Sequence, residues 1–138
     1  MMSVSFQSTR FLRYALIGDA VASGATGLFM AAGAGILTGL LNLPEELLRY
    51  AGMFLLPYAA IVAYFGTRPE VSKAAVWTII AVNALWAVES IGLLVSSWVA
   101  PTMLGYAFVI FQALVVLAFA EAQYLGLRHA RSMVATVQ

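Results

Sequence analysis

Three carboxylic acids lie inside long apolar stretches of the chain. Asp19, Glu89 and Glu121 each have mostly apolar neighbours on both sides. A charged side chain at the centre of a bilayer costs roughly 2.5–3.5 kcal/mol on insertion scales, so such groups usually face a bundle interior or a water-filled cavity. The chemistry available to them there is proton exchange, cation binding or hydrogen bonding between helices.

Other polar side chains occur at depths similar to that of Asp19. At about 1.5 Å per residue from the inner edge of each apolar segment, Asp19, Tyr58 and Asn83 lie roughly 12–13 Å deep. On the same count, Glu121 lies roughly 9 Å deep. These four residues predict one inner polar layer.

A second polar layer is predicted nearer the other side of the membrane. Thr26 and Glu89 lie about 22 Å from the inner edge, and Gln112 lies between that level and the middle. At about 100° per residue, Gln112 and Glu121 fall on opposite faces of their helix and cannot both point into the centre of one monomer. The candidate intramembrane polar site comprises Asp19, Tyr58, Asn83, Glu89, Gln112 and Glu121.

Each candidate also has a purely structural interpretation. Asp19 would be a protonated or hydrogen-bonded acid that holds helices together, and Glu121 would pair with Arg128, one heptad later on the same face. Asn83 and Gln112 would link helices by hydrogen bonds worth about 0.6 kcal/mol each. Glu89 has no basic residue near it in its own segment. For Glu89 a functional site and a buried hydrogen bond both stay open.

The composition places these residues in membrane-spanning helices. Of 138 residues, 63% are hydrophobic and 9% are charged, whereas soluble domains carry about 25% charged residues. The mean hydropathy is +0.94. A span needs about 20 mostly apolar residues, and four segments qualify, at about 11–37, 44–65, 74–99 and 101–127. The sequence therefore predicts an all-α, polytopic membrane protein, a four-transmembrane-helix bundle forming a single domain over residues 1–138.

The segment ends carry helix-boundary signals. The sequence 44–46 begins with proline and continues with two glutamates, which favours a helix start. Thr67 and Glu70, with Pro69 between them, predict a capping box that opens the third helix. Pro57 predicts a kink in the second helix. The segment 38–43 is predicted to be an apolar loop in the headgroup region.

The basic residues predict the orientation of the chain. Cytoplasmic loops carry an excess of lysine and arginine, and four spans place six basic residues on one side: Arg10, Arg13, Arg68, Lys73, Arg128 and Arg131. Only Arg49 lies on the other side, so both termini are expected in the cytoplasm. The first span is expected to be retained, because it is longer than a signal-peptide core and contains an aspartate.

The composition also excludes several function classes. The chain has no cysteine and one histidine, His129. One chain therefore cannot form thiolate metal sites, iron–sulfur clusters or the paired histidine ligands of a membrane haem. The net charge is +1 and the basic residues are scattered, whereas nucleic-acid binding relies on a dense basic stripe. We expect no cofactor, no metal and no nucleic-acid partner.

Two pairs of segments hint at an internal duplication. Residues 19–28 loosely match 83–93, and residues 57–62 can be laid on 111–116. If these matches reflect common descent, each repeat is a two-helix hairpin, and the two hairpins would be related by an axis along the membrane normal. Chance similarity between apolar segments is the alternative.

Several short motifs lie along the four apolar segments: Gly18-Asp19-Ala20, Ser23-Gly24, Gly27-Leu28, Leu55-Leu56-Pro57-Tyr58-Ala59, Asn83-Ala84-Leu85-Trp86 and Ala120-Glu121-Ala122-Gln123. With these motifs the chain resembles small bacterial four-helix integral membrane proteins of uncharacterised function. The resemblance covers nearly the whole chain and implies a bacterial inner membrane, but it implies no activity and no site residues.

Three functional hypotheses follow from these patterns. The first is an accessory, assembly or interaction protein whose polar residues serve helix packing. The alternative is an oligomeric proton- or cation-linked transporter or channel that uses its intramembrane carboxylates. The third, a membrane enzyme or a binder of a lipophilic ligand, would have Asp19 and Glu121 as its best metal pair. If the inner polar layer exists, cysteines at positions 19 and 121 should crosslink within one chain. The expected partners are the lipid bilayer and a second copy or a larger membrane complex.

Overall fold

Four helices account for most of the chain. In the computed structural model, the backbone is described for residues 5–137 and the side chains for residues 7–128, so His129 and Arg131 lie outside the described side chains. The elements are β1 (Ser5–Gln7), α1 (Arg10–Leu41), α2 (Glu45–Gly66), β2 (Glu70–Ser72), α3 (Lys73–Val95) and α4 (Met103–Val137).

All four helices are long and apolar enough to cross a membrane. The prediction of an all-helical chain with four such helices is confirmed, and the helices begin within two residues of the predicted starts. Pro57 lies inside α2, which continues through it; the predicted kink stays a prediction. The first helix extends to Leu41, so the predicted loop over 38–43 is shorter than expected.

The helices form two hairpins, α1–α2 and α3–α4, that pack against each other mainly through α1 and α4. At one end, the Asn42 side chain donates a hydrogen bond to the Ala100 carbonyl at 2.6 Å. The Thr102 hydroxyl donates to the Leu40 carbonyl at 2.8 Å. These bonds tie the two hairpin turns together. The order of the hairpins is the one that a duplication requires, and their common descent stays a prediction.

A short antiparallel ribbon closes the opposite end. Phe6 in β1 pairs with Val71 in β2, and Gln7 pairs with Glu70. The predicted capping box is therefore wrong: Glu70 lies in a strand, and α3 begins at Lys73 with the Ser72 hydroxyl accepting from the Ala75 amide. The physical reason is that β1 supplies backbone partners to residues 70–72, which buries the Val71 side chain in the core.

Two apolar clusters fill the bundle. One lies at the ribbon end and includes Leu12, Leu16, Val62, Val71, Val76 and Leu127. The other lies towards the hairpin turns and includes Met30, Leu37, Leu41, Leu48, Leu55 and Val109. The buried polar side chains belong to neither cluster. They lie where α1, α2, α3 and α4 meet between the two.

Two glycines allow α1 and α2 to approach closely. A Cβ atom on Gly52 would lie 2.6 Å from the Gly27 carbonyl oxygen and 2.5 Å from the Ala31 amide nitrogen. A Cβ atom on Gly27 would lie 2.8 Å from the Gly52 carbonyl oxygen. Because these neighbours are backbone atoms, a side chain could be accommodated only by moving the helices apart.

We expect Gly52→Ala to lower the free energy of unfolding by about 1–3 kcal/mol, the usual cost of overpacking. Gly92→Ala is the matched control, since its Cβ would meet nothing within 4 Å; it should be neutral or stabilising by up to about 1 kcal/mol. Detergent-induced unfolding followed by circular dichroism measures both. Equal stability of the two variants would contradict the close approach.

Candidate functional site

The Asp19 carboxyl group lies at the point where all four helices meet, and its residue is 0% exposed. The Ser23 hydroxyl, one turn later on α1, donates to Asp19 Oδ1 at 3.0 Å. Asp19 Oδ2 lies 2.9 Å from the Tyr58 hydroxyl of α2. Asp19 Oδ2 also accepts from Asn83 Nδ2 of α3 at 2.9 Å and from Gln123 Nε2 of α4 at 2.8 Å. We call these five residues the Asp19 cluster.

Further hydrogen bonds join the neighbours of Asp19 to one another. Asn83 Nδ2 donates to Gln123 Oε1 at 3.1 Å, and the Tyr58 hydroxyl lies 3.1 Å from Asn83 Oδ1. No buried side-chain nitrogen or oxygen among the described residues lacks a hydrogen-bond partner. A network that is satisfied in this way stabilises a single arrangement of the helices.

The six hydrogen-bond distances in the cluster can be compared with the hydrogens available. Ser23 and Tyr58 each have one hydroxyl hydrogen, Asn83 points both amide hydrogens into the cluster, and Gln123 points one towards Asp19. Together these supply five hydrogens for six distances, because the single Tyr58 hydroxyl hydrogen faces two acceptors, Asp19 Oδ2 and Asn83 Oδ1.

Three of the predicted inner-layer residues meet, and one does not. The structure brings Asp19, Tyr58 and Asn83 into direct contact. Glu121 is exposed on the outside of α4, because it lies two residues, or about 200° of helix rotation, before Gln123. The predicted pairing of Asp19 with Glu121 is therefore wrong, and with it the expected cysteine crosslink.

The residue that sequence reasoning missed is Gln123. It lies eleven positions after Gln112, which is close to three full helical turns, so the two glutamines share one face of α4. That spacing was the signal that could have found it. Among the described side chains, Glu121 forms no ion pair with Arg128, in contrast to the structural interpretation offered for it.

Gln112 belongs to a second polar cluster, between α3 and α4. The Trp86 indole donates to Gln112 Oε1 at 2.5 Å. Gln112 Nε2 donates to the Ser90 hydroxyl at 2.9 Å and to the Val109 carbonyl at 2.8 Å. The Ser90 hydroxyl donates to the Trp86 carbonyl at 2.8 Å. Trp86, Ser90 and Gln112 form what we call the Gln112 cluster.

Glu89 is adjacent to the Gln112 cluster but takes no part in it. Its side chain is exposed and lines a cavity of about 230 Å³ next to Trp86, Ser90 and Gln112. Thr26 lines a small void of about 30 Å³ together with Asp19 and Gln112. Of the predicted second layer, Gln112 therefore borders both spaces, whereas Thr26 and Glu89 border different ones.

A metal site does not emerge from the described part of the chain, where no three His, Asp or Glu side chains come together. Comparisons of the chain with protein-family models, with curated proteins and with solved structures found no match. The site has to be interpreted from its own geometry.

The hydrogen-bond geometry predicts different effects for two substitutions of Asp19. Asp19→Ala leaves the donors of Ser23, Asn83 and Gln123 without their acceptor and should lower the free energy of unfolding by about 3–5 kcal/mol. Asp19→Asn should cost less than about 1.5 kcal/mol, because its amide oxygen can accept at the Oδ2 position while its nitrogen donates to the Ser23 oxygen.

Thermal unfolding of the purified variants in detergent measures these effects. Glu121→Ala is the control, since it removes an exposed carboxyl group from α4 and should leave stability unchanged. The network interpretation fails if Asp19→Ala is as stable as the parent protein, or if Asp19→Asn is as unstable as Asp19→Ala.

Proposed function

We propose that this chain is a small integral membrane protein that works by association, as an accessory, assembly or interaction protein. The observation that carries the proposal is the environment of Asp19. Its carboxyl group is fully buried and has hydrogen-bond partners on all four helices. Side chains that are fully engaged with one another serve packing and helix specificity in membrane bundles. The interaction surface is then the outside of the bundle.

The exposed side chains support a membrane location. Large apolar residues project outwards along all four helices, among them Val21, Phe29, Phe54, Ile61, Leu85, Val88, Phe111 and Leu114. Exposed aromatic residues lie near both ends, with Tyr14, Tyr64, Trp77 and Tyr124 at the ribbon end and Tyr50, Trp98 and Tyr106 at the other. Such aromatic belts are typical of the two membrane–water interfaces.

The arrangement of charge supports an orientation with both termini in the cytoplasm. The β1–β2 pairing joins the N-terminal segment to the α2–α3 connection, so Arg10, Arg68 and Lys73 lie at one end of the bundle. Arg49 lies at the other end, paired with Glu45 at 2.7 Å. Under the positive-inside rule the ribbon end is cytoplasmic. Together with the resemblance to bacterial proteins, this favours a bacterial inner membrane.

The absence of cysteine from the sequence allows a direct test of orientation. In cells expressing single-cysteine variants, Ser97→Cys in the exposed α3–α4 connection should react with a membrane-impermeant maleimide. Thr67→Cys, exposed at the ribbon end, should react only after the membrane is permeabilised. The reverse pattern would place the termini outside.

The surroundings of Asp19 favour association over transport. The void beside Asp19 has a volume of about 30 Å³, which holds about two water molecules at most. Its walls combine the apolar Leu55, Val115, Val116 and Phe119 with the polar Ser23, Thr26 and Gln112. The void is too small to hold a chain of water molecules, so it does not by itself give a proton or cation a path away from the carboxyl group.

One observation favours the alternative of an oligomeric proton- or cation-linked transporter or channel. Glu89 has no hydrogen bond or ion pair to any group that the structure describes, and it borders an open cavity. A carboxyl group of this kind can take up a proton or a cation. An oligomer, such as a dimer, would then have to complete a pathway around it.

Flux measurements in proteoliposomes separate the two functions. We expect the parent protein, Asp19→Asn and Glu89→Gln to show the same background proton and potassium flux, and to keep the same oligomeric state in crosslinking. Parent flux that either variant abolishes without loss of folding would refute the association proposal. Lipid-only vesicles and the Glu121→Gln variant set the background.

A further inference from the structure

A cavity opens in the bundle on the hairpin-turn side of the Asp19 cluster. Its volume is about 230 Å³, larger than the engineered cavity of about 150 Å³ that is known to bind benzene. All four helices contribute to its wall, which is mostly apolar and includes Met30, Leu48, Ala51, Leu93, Phe108 and Val109. The space fits an apolar group the size of one aromatic ring with a short chain.

Four side chains of the wall carry polar atoms, and three of them, Trp86, Ser90 and Gln112, are hydrogen-bonded within the Gln112 cluster. Gln112 uses its oxygen for the Trp86 indole and its amide hydrogens for Ser90 and the Val109 carbonyl. The Ser90 hydroxyl accepts from Gln112 and donates to the Trp86 carbonyl. Glu89 is therefore the polar group in this wall that has hydrogen-bonding capacity to offer a ligand.

The charge of the cavity wall limits the class of ligand that the cavity can bind. Glu89 is the one ionisable residue among the cavity-lining side chains. Arg49, at the same end of the bundle, is paired with Glu45. A carboxylate in apolar surroundings is stabilised by a cation that approaches closely and donates hydrogen bonds.

The aromatic side of the cavity is held in a fixed position. The Trp86 ring stacks on Phe54 with the centroids 5.9 Å apart and the planes 12° apart, and its indole nitrogen is bonded to Gln112. A ring fixed in this way can pack against an aromatic ligand, and its face attracts a cation.

We propose that this cavity binds a small lipophilic amine, with the ammonium group on the Glu89 carboxylate and the apolar body beside Trp86 and Phe108. The ligand class follows from a mostly apolar wall in which the unpaired polar group is one carboxyl group. This binding site is independent of the proposed association function, because it uses none of the residues of the Asp19 cluster.

The test compares two probes of the same shape and size. Fluorinated phenethylamine carries an ammonium group, and the corresponding fluorinated propylbenzene carries a methyl group in its place. Fluorine NMR of the protein in nanodiscs measures saturable binding of each probe, with empty nanodiscs as the background. The parent protein should bind the amine at least tenfold more tightly than the hydrocarbon.

Three variants assign the binding to the cavity. Glu89→Gln should weaken binding of the amine at least tenfold and leave binding of propylbenzene within about twofold of the parent value. Ala51→Leu should fill the cavity and weaken binding of both probes. Glu121→Gln should change neither, and Glu89→Asp, which keeps the charge, should retain the preference for the amine.

The proposal is overturned if the amine does not bind saturably to the parent protein, or if folded Glu89→Gln binds it as tightly as the parent. If the amine and propylbenzene do not displace each other, they do not share one site, which would also contradict the proposal. Unchanged crosslinking and stability of the variants would leave the association function intact, so the two proposals can fail separately.

Discussion

A carboxyl group inside an apolar bundle must find its hydrogen-bond donors within the protein, because apolar surroundings supply none. Here α2, α3 and α4 each provide one such partner to Asp19 of α1. This requirement fixes the rotation of each helix about its axis. In α4, for example, the residues next to Gln123 are Ala122 and Tyr124, which lie on other faces of the helix and could not replace it as the partner of Asp19. Apolar packing alone defines helix rotation weakly in a membrane, where lipid tails are as apolar as leucine.

The close contact between α1 and α2 makes the Asp19 cluster geometrically feasible. In an antiparallel pair that touches at Gly27 and Gly52, Asp19 lies about 12 Å back along α1 and Tyr58 about 9 Å forward along α2. The two residues are therefore at similar heights, and the long phenol side chain covers the remaining difference. The close contact at Gly27 and Gly52 thus allows the Tyr58 side chain to reach Asp19.

Much of this arrangement could be predicted from the sequence, because hydropathy and helical phase are local properties. They located four helices and placed Asp19, Tyr58 and Asn83 at one depth. They could not identify the α4 partner by depth alone, since Glu121 and Gln123 differ by only about 3 Å of rise. Rotation about the helix axis separates them, and the eleven-residue spacing from Gln112 reveals that rotation.

The ribbon escaped prediction for a different reason. Residues 67–70 carry the local pattern of a helix start, but the backbone partners of Glu70 and Val71 come from β1, more than sixty residues earlier in the chain. A strand of three residues has no periodicity to detect. Only the buried Val71 side chain, packed with Leu12 and Leu127, shows why the extended conformation is preferred there.

The two polar clusters differ in whether a free polar group and an open space lie beside them. This difference decides where the bundle can bind another molecule. The Asp19 cluster is closed, since a ligand there would have to break hydrogen bonds that all four helices share. The Gln112 cluster is closed as well, but it holds Trp86 and Ser90 at the edge of an apolar cavity and leaves Glu89 outside its network. The most deeply buried acid is thus the least available for chemistry. Glu89 combines an unpaired carboxyl group with space for a ligand.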